Sequence, residues 1–423
     1  MPFPDLADHP RWEITEGRRE PFAALLCPLK TVGARDAEAR DSHSVSVNSR
    51  NVGLRWRHTD REGNSLAKVL VAMSGGVDSS AAAHLLKEEG HEVIGAFLRL
   101  GDGGQAAEKS RACCTVEDAI DARRVADRLD IPFYSFNYAQ EFRKIIDYFV
   151  DEYRDGRTPN PCARCNQWIK FDVFHDLAHD LGADFVATGH YARVLDADDG
   201  PRLARGIDVD KDQSYFLATV PYDVLKECLF PVGGLHKPEV RDIAGAAQLP
   251  VVHKAESQEI CFVPANDYRR VIRKEAPESL QQGEIVDESG DKLGTHEGYA
   301  AFTVGQRRGL GIAGAEPRYV VRTERETNRV VLGPRNSLLE DHFFISEMNW
   351  LLPKTPEIPL RCTVQIRHRG TPQPCTVQSA TLGGGDWLEV HLDVPVFAIA
   401  AGQVAALYDE DVVLGGGWIE KGE

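Results

Sequence analysis

The segment Lys68–Gly90 constrains the fold of this chain more than any other part of the sequence. Val69–Met73 is a continuous apolar run, and it ends at Ser74-Gly75-Gly76. Apolar residues with helical spacing then run over Ser79–Glu89 and stop at Gly90. This pattern predicts a buried strand, a glycine-rich turn and a helix. Glycines let the backbone approach an anion, and a helix N-terminus directs unpaired N–H groups towards it, so the turn is predicted to bind an anion.

Short apolar strands alternate with helical segments through the next part of the chain. After the first unit, the predicted strands are Glu92–Leu98, Ile131–Phe136 and Asp184–Ala187, and the predicted helices are Val116–Leu129, Ala139–Arg154 and Gln167–Leu181. Such alternation is typical of βαβ units on a parallel sheet that is covered on both faces. We therefore predict an α/β fold with a doubly wound parallel sheet over residues 67–240.

The rest of the chain has a different organisation. Residues 1–66 lack sustained helical periodicity and are interpreted as an irregular N-terminal extension. Residues 241–318 have a mixed pattern and are predicted to form a small central domain. From Tyr319 onwards short strands follow one another, including an alternating stretch at Arg361–Arg369. This pattern favours a C-terminal β-barrel over residues 319–423.

Composition excludes some classes of protein. No stretch approaches the roughly 18–20 apolar residues of a membrane helix. The most apolar run near the start, Pro21–Leu29, is too short for a secretory signal. Residues 1–67 carry ten acidic and ten basic residues, whereas a mitochondrial presequence is poor in acidic residues. We therefore expect a cytoplasmic protein that has no membrane partner.

The formal net charge is −16, which by itself disfavours a nucleic-acid partner because phosphate binding needs clustered positive charge. The charge is segregated, however. Tyr268–Lys274 carries +4 and Arg361–Cys375 carries +3, whereas residues 386–423 carry −7. Net charge alone therefore does not decide the partner. If the partner is RNA, we expect one basic, concave face for it and an acidic opposite face, with binding that weakens as salt rises.

Nine cysteines are too few, and odd in number, for a disulfide scaffold. Two close groups, Cys113-Cys114 and Cys162-x-x-Cys165, are candidates for catalysis or metal binding. Cys165 lies near a predicted helix N-terminus beside Arg164, so a reactive thiolate is expected there. Cys261, between Ile260 and Phe262, is either a second reactive thiol or a small buried apolar residue.

The loop Ser74–Ser80 is not a Walker A loop, since it lacks the Gly-Lys-Ser/Thr ending. It resembles the pyrophosphate loop of the ATP pyrophosphatase (PP-loop) superfamily, whose members split ATP into AMP and pyrophosphate and adenylate an oxygen of the substrate. In this interpretation the serine hydroxyls are donors, and Asp78 holds Mg²⁺ against the phosphates. In the alternative interpretation, Asp78 or Ser79 only caps the helix.

Several motifs together resemble the tRNA-specific 2-thiouridylase family, which converts the wobble uridine of certain tRNAs to 2-thiouridine. The matching stretches occur in the family's order from about residue 68 to the C-terminus. They are Ala72–Ser79, Thr158–Phe171, Ala187–Tyr191, Lys211–Leu217, Phe230–Gly233, Ser257–Phe262, Gly305–Ile312 and Leu414–Ile419.

This resemblance implies a reaction and a set of site residues. ATP adenylates O2 of the uracil, and a persulfide on Cys261, supplied by a cysteine desulfurase or a sulfur-relay protein, attacks C2. Cys165 is the other catalytic cysteine, which either attacks the persulfide to release sulfide or resolves the adduct. Both routes end in a Cys165–Cys261 disulfide that must be reduced in each cycle. The implied ATP-binding residues are Ala72, Met73, Ser74, Gly75, Gly76, Val77, Asp78, Ser79, Leu98 and Gly189. The implied contacts with the target base or the anticodon loop are Asn160, Pro161, Cys162, His190, Lys211, Asp212, Gln213, Arg367, His368 and Gln403.

At one position this chain departs from the family pattern. Family members carry an aspartate three residues before the catalytic cysteine, whereas this chain has Cys162, so the role of that aspartate cannot be transferred. Cys162, Cys165 and Cys261 could instead hold a 4Fe-4S cluster, as in related RNA-thiolating enzymes. Zinc is a further option, although a structural zinc site needs a fourth ligand.

Two other functions remain open at this point. A PP-loop ligase that aminates an adenylated substrate with ammonia would act independently of Cys165 and Cys261. A non-catalytic tRNA-binding module would release neither AMP nor pyrophosphate when it is mixed with ATP and tRNA.

Overall fold

The computed structural model describes residues 66–101, 115–255, 260–263, 266–312, 316–382 and 385–421. All of these residues belong to one compact unit, Leu54–Glu423. The predicted extension, apart from Leu66, and the Cys113-Cys114 pair lie outside the described residues. No helix within the described ranges is both long enough and apolar enough to span a membrane.

The first strands are β1 (Lys68–Ala72), β2 (Glu92–Arg99), β3 (Phe133–Asn137), β4 (Phe185–Thr188), β5 (Ala192–Leu195), β6 (Arg202–Arg205), β7 (Cys228–Leu229), β8 (Gly283–Asp287) and β9 (Lys292–His296). They are followed by β10 (Tyr319–Glu324), β11 (Arg329–Gly333), β12 (Leu339–Trp350), β13 (Leu360–Gln365), β14 (Gln373–Leu382), β15 (Gly385–Phe397), β16 (Val404–Asp409) and β17 (Val412–Glu420). The α-helices are α1 (Val77–Glu88), α2 (Val116–Leu129), α3 (Ala139–Arg154), α4 (Pro161–Cys165), α5 (Asp172–Asp180), α6 (Ser214–Leu217), α7 (Tyr222–Leu225), α8 (Lys237–Ala246) and α9 (Arg269–Glu275).

A five-stranded parallel sheet, in the order β3-β2-β1-β4-β7, forms the core of the N-terminal part. Successive side chains of a strand point to opposite faces. Leu70 of β1 therefore packs in the hydrophobic cluster that includes α3 and α5, whereas Val69 and Val71 pack in the cluster that includes α1, α2 and α8. Helices thus cover both faces, and the predicted doubly wound sheet is confirmed.

A smaller mixed sheet, in the order β10-β11-β8-β9, follows in the chain. Its apolar side packs against Phe149, Val150 and Tyr153 of α3. This helix therefore packs against the parallel sheet with one face and against the mixed sheet with another. Strands β10 and β11 were expected in the barrel, which we predicted to begin at Tyr319. They instead pair with each other and, through β11, with β8, and the first barrel strand is β12. The domain boundaries themselves stay a prediction.

The C-terminal barrel consists of six antiparallel strands in the order β12-β15-β14-β13-β16-β17, and it is closed by pairing of β12 with β17. The predicted barrel is therefore confirmed. Its sheet extends beyond the barrel: β17 also pairs with β6 at Val412 and Ala204, and β6 pairs with β5. The C-terminal strands are thus hydrogen-bonded to a hairpin that follows the parallel-sheet strand β4.

Two secondary-structure elements that were predicted from the sequence differ from those in the structure. The helix predicted at Gln167–Leu181 begins six residues earlier in the structure, because Asn160 caps α4 and the helical path continues through a π-helical turn, Asn166–Phe171, into α5. Strand β13 ends at Gln365, before the segment Arg367–Arg369 that we expected to be extended. Arg369 has a left-handed backbone with φ of 59°, which is incompatible with a continuing strand.

Candidate active site

The glycine-rich loop lies at the carboxyl end of β1, where the parallel sheet meets the N-terminus of α1. Gly75 has φ of +72°, and a Cβ atom at this position would lie 2.3 Å from the carbonyl oxygen of Asp118. Only glycine satisfies both conditions. The loop is closed by Ser79, whose Oγ accepts from the backbone N–H of Ser74 at 3.1 Å and donates to the carbonyl of Gly76 at 3.2 Å.

The structure does not support the alternative that Asp78 or Ser79 only caps this helix. Gly76 occupies the N-cap position, and no side chain there accepts a hydrogen bond from the first turn. Asp78 and Ser79 lie inside the first turn instead. The N–H groups and the positive end of the dipole of a helix of twelve residues are therefore directed towards the loop, as an anion site requires.

Gly189, which follows β4, approaches the loop from the neighbouring strand. A Cβ atom on Gly189 would lie 2.5 Å from the backbone nitrogen of Ser79, so only glycine allows this approach. Leu98 is buried near the carboxyl end of β2, on the other side of β1. The structure thus brings both residues to the sheet edge that carries the loop.

Asp78 is held by two side chains from later parts of the chain. Lys237 Nζ, at the start of α8, contacts Asp78 Oδ1 and Oδ2 at 2.7 and 2.8 Å, and the hydroxyl of Tyr191 donates to Oδ1 at 2.8 Å. The Lys237 side chain is only 9% exposed. A buried cation therefore already faces Asp78, and the sequence pattern did not predict this partner.

The segment before the first catalytic-cysteine candidate is tightly anchored. Thr158 donates its backbone N–H to Ala401, and Gln403 Nε2 donates to the carbonyls of Thr158 and Pro159 at 3.0 and 2.9 Å. Asn160 accepts from the N–H of Ala163 through Oδ1. The turn before strand β16 thus sets the position of this loop.

The three cysteines at this site differ in exposure. Cys162, in the first turn of α4, is exposed, whereas Cys165 is 6% exposed. Cys261 is half-buried and packs against the same hydrophobic cluster that contains Cys165. Its neighbour Phe262 makes edge-on contacts with Phe149 and Phe142 of α3, at ring-centroid distances of 5.0 and 5.8 Å. Helix α3 therefore lies beneath both cysteine segments.

Arg164, between Cys162 and Cys165, points away from solvent. Its guanidinium makes a two-pronged ion pair with Glu347 of β12, at 2.8 and 3.1 Å. It also lies 3.7 Å from the ring centroid of Trp418 and 4.7 Å from that of Trp168. The charge that we expected to act on the Cys165 thiol is therefore engaged by the barrel, and this packing could not be predicted from local sequence.

The residues predicted to contact RNA fall into three groups by exposure. Cys162, Arg367 and His368 are exposed, and the His368 ring packs on Phe216 with a centroid distance of 4.6 Å. Asn160 and Pro161 are buried. The remaining candidates are partly buried, and Asp212 and Gln213 already bind other parts of the protein.

Asp212 accepts hydrogen bonds from the backbone of Gly206 and Ser214, from the Ser214 hydroxyl and from Arg205. Gln213 accepts from the backbone of Tyr191. The ring of His190 packs near Phe171 and Phe230. Burial lowers the pKa of His190 to about 3, and Lys170 adds to this effect, so the imidazole is neutral at physiological pH.

The basic stretches are partly neutralised in the fold. Arg361 forms an ion pair with Asp393, and Arg270 lies 3.4 Å from Asp267.

In the parts of the chain that the structure describes, the ligand atoms of Cys162, Cys165 and Cys261 do not converge within 4.8 Å, which disfavours a single zinc ion on these three sulfurs.

Comparison with known proteins covers nearly all the described chain. Three family models match: a tRNA methyl transferase HUP domain over residues 67–265, a tRNA methyl transferase PRC-barrel domain over 269–334, and an aminomethyltransferase β-barrel domain over 340–419. Among curated proteins, the tRNA-specific 2-thiouridylase MnmA of Geotalea uraniireducens is 49% identical over 363 residues, covering 84% of this chain and 96% of that protein. The MnmA of Chloroflexus aggregans is 47% identical, covering 85% of this chain and 99% of that protein. The MnmA of Rhodopirellula baltica is 43% identical, covering 84% of this chain and 96% of that protein.

Proposed function

The chain is an enzyme of the tRNA-specific 2-thiouridylase family, and on that premise we propose that it replaces O2 of a tRNA wobble uridine by sulfur in an ATP-dependent reaction. The observation that carries the proposal is the combination of an anion-binding loop at the end of β1 with two cysteine segments that pack against one hydrophobic cluster. The first provides a site for activation by ATP, and the second provides two thiols for sulfur transfer.

In the activation step, ATP binds along Ala72–Ser79, with Leu98 on one flanking strand and Gly189 directly after the other. The N–H groups at the start of α1 and the hydroxyl of Ser74 contact the phosphates. O2 of the uracil attacks the α-phosphorus, pyrophosphate leaves, and the uracil carries AMP on O2. This step is needed because a carbonyl oxygen is otherwise a very poor leaving group.

The contacts of Asp78 limit how a metal ion takes part. Both carboxylate oxygens face the Lys237 ammonium, so Mg²⁺ could bind Asp78 only if Lys237 moved away. We propose that Mg²⁺ arrives bound to ATP and that Lys237 keeps Asp78 in place beside the phosphates. The ion would neutralise phosphate charge, as it does in other ATP sites.

Sulfur transfer then uses the two cysteines. The terminal sulfur of a Cys261 persulfide attacks C2, and AMP leaves with the C2–O2 bonding electrons. The Cys165 thiolate attacks the Cys261 sulfur of the resulting adduct. The S–S bond to the substrate breaks, its electrons remain on the sulfur at C2, and a Cys165–Cys261 disulfide forms. A thiol reductant reduces this disulfide, and a cysteine desulfurase or relay protein reloads Cys261.

Cys162 supports a second version of the sulfur chemistry. Its exposed side chain lies three residues before Cys165 on the same short helix, so these two cysteines and Cys261 could ligate a 4Fe-4S cluster. The ligands of such a cluster bind different iron atoms and need not converge on one point. Purification without oxygen separates the two versions: a colourless, iron-free protein that retains activity excludes the cluster.

For RNA, we propose that the wobble base leaves its stack and lies beside Asn160, Pro161 and Cys162. The anticodon loop would then contact the surfaces around His190, Lys211–Gln213, Arg367–His368 and Gln403. The exposed Arg367 and His368 lie in a turn after β13, which is suited to contact an unstacked loop. The many hydrogen bonds of Asp212 and Gln403 indicate that these residues position neighbouring segments.

The test is mass spectrometry of nucleosides from tRNA that has been incubated with enzyme, ATP and a sulfur donor. Wild-type protein should produce 2-thiouridine, and both Cys165→Ser and Cys261→Ser should abolish it. Cys228→Ser is the matched control, because Cys228 lies buried in β7, outside both cysteine segments in sequence, and donates a hydrogen bond that serine can keep.

The outcomes separate the competing functions. Amination of a substrate that is unaffected by both cysteine substitutions would indicate a PP-loop ligase. No release of AMP or pyrophosphate in the presence of tRNA would indicate a binding module. Formation of 2-thiouridine by either cysteine variant would contradict the roles proposed for Cys165 and Cys261.

A further inference from the structure

We propose that His175, His179 and Glu227 form a binding site for a divalent transition-metal ion, zinc above all, at the edge of the parallel sheet opposite the ATP loop. This site is separate from the sulfur chemistry. Its ligands come from α5 and from the residue that immediately precedes β7.

Helix α5 brings the two histidines together. His175 and His179 are four residues apart and therefore lie on one face of the helix, with their Nε2 atoms 3.2 Å apart. Glu227 completes the group from the turn before β7, and its backbone carbonyl accepts a hydrogen bond from Val186 of β4 at 2.9 Å. The main chain of Glu227 is thus fixed by the sheet.

The distances among the three ligand atoms match a tetrahedral site. Glu227 Oε2 lies 3.3 Å from His175 Nε2 and 3.4 Å from His179 Nε2. Ligands at typical zinc–nitrogen and zinc–oxygen distances of about 2.0–2.1 Å are separated by roughly 3.3–3.4 Å when they form a tetrahedron. In the described parts of the chain, this is the one group of three or more potential ligands that converges in this way.

With an ionised Glu227, hydrogen bonds cannot satisfy all three contacts at once. If both Nε2 atoms carry hydrogen and donate to an ionised Glu227, the contact between His175 and His179 joins two donors. If one Nε2 is unprotonated, its contact with the carboxylate joins two acceptors. A metal ion accepts a lone pair from all three atoms at once and removes this conflict.

The exposure of the site suits an exchangeable ion with a free coordination position. The side chains of His175, Glu227 and His179 are 23%, 29% and 39% exposed. Water can therefore provide the fourth ligand. Two imidazoles and a carboxylate favour zinc, cobalt or nickel over magnesium or calcium, which prefer all-oxygen sites.

The position of the site defines its role. In a parallel sheet the amino ends of β4 and β7 lie at the edge opposite the carboxyl end of β1, which carries the ATP loop. A bound ion would join α5 to the start of β7. It would stabilise the helical segment that continues from Cys165 through the π-helical turn without touching reactants.

The experiment measures zinc bound by full-length protein after dialysis against limiting zinc. His175→Ala/His179→Ala should bind one equivalent less than wild type, and Glu227→Gln should bind that zinc at least about tenfold more weakly, since even outer-shell changes cost 10–100-fold. His342→Ala/His391→Ala is the matched control: it removes two barrel histidines that also lie near carboxylates, with ring centroids 6.4 Å apart. This control should bind as much zinc as wild type.

Two further readouts exclude binding through the cysteines. Co²⁺ at this site should show visible d–d absorption without the near-ultraviolet charge-transfer band of thiolate ligation. Saturating zinc should raise the Tm of wild type and of the control by a few degrees more than that of the His175→Ala/His179→Ala protein. Equal zinc stoichiometry in wild type and the double variant, or an equal rise in Tm, would overturn the proposal.

Discussion

Arg164 of α4 and Glu347 of β12 form a two-pronged ion pair across the boundary between the cysteine-bearing helix and the barrel. The guanidinium is 8% exposed, whereas the carboxylate is 58% exposed. The Glu347 carboxylate is thus solvated, whereas the Arg164 guanidinium is buried and stacks on the Trp418 ring. Shape and planarity, more than net charge, make this contact specific for arginine.

Arg164→Lys should therefore destabilise the protein although it keeps the charge. We expect a loss of about 1–3 kcal/mol in the free energy of unfolding, because lysine provides neither the planar fork nor the stacked surface. Urea unfolding measures this change. Arg361→Lys is the control, since its ion pair with Asp393 is exposed. A similar loss in both variants would show that stacking contributes nothing.

Arg164→Lys should also lower kcat for thiolation, because Arg164 lies between Cys162 and Cys165 on α4. A misplacement of about 1 Å at a reacting group can cost about a hundredfold in rate. Single-turnover kinetics with a preformed persulfide would measure the effect. An unchanged rate in a destabilised variant would limit Arg164 to a purely structural role.

Gly75→Ala should abolish ATP use. The added Cβ would overlap the carbonyl of Asp118, and alanine disfavours φ of +72°. We expect AMP formation to fall about a hundredfold or more. Gly182→Ala separates the two causes, because Gly182 also has positive φ, +65°, but has no atom within 4 Å of the added Cβ. That control should cost about 1 kcal/mol of stability and retain activity.

Gln403→Glu should loosen the loop before Cys162. The substitution replaces the amide donor with a carboxylate that faces the carbonyls of Thr158 and Pro159, so each lost bond should cost about 1–3 kcal/mol. We expect KM for tRNA to rise more than KM for ATP. Gln373→Glu, which loses one exposed backbone contact on the barrel, should leave both unchanged. Equal rises in both KM values would indicate general unfolding.

His190 should make the protein sensitive to acid. Burial lowers its pKa to about 3, against about 6.5 in the unfolded chain, so the unfolded state binds the additional proton first. The stabilisation is complete above pH 6.5 and is lost as the pH falls towards 3. From pH 7.5 to 5.5 we expect His190→Asn to lose up to about 1.4 kcal/mol less stability than wild type. Identical losses in urea unfolding would contradict the shift.

The sequence predicted those parts of the fold that depend on local patterns. Hydrophobic runs and the double glycine located β1 and α1, and alternation of strands and helices indicated the parallel sheet. It did not predict that β10 and β11 join β8, because strand pairing depends on long-range packing against α3. It also placed the start of the cysteine-bearing helix too late, since Asn160 and Pro161 resemble loop residues until the cap forms.

For the site, motifs located the loop and the cysteine segments but not their supporting residues. Lys237 is far from Asp78 in sequence, and only the docking of α8 beside α1 brings them into contact. Glu347 and Trp418 likewise reach Arg164 from distant barrel strands. His175 and His179 have the spacing of helical metal ligands, but their third partner comes from a turn that the sequence does not associate with α5.

The pairing of β17 with β6 joins two segments that are synthesised far apart in time. The edge of β6 that faces β17 receives its partner only when Val412, about 200 residues after Ala204, has been synthesised. At 5–20 residues per second this takes on the order of 10–40 s. An open strand edge is a template for aggregation during that time. In a ribosome-bound chain, we therefore expect the edge of β6 to stay open until the residues around Val412 emerge.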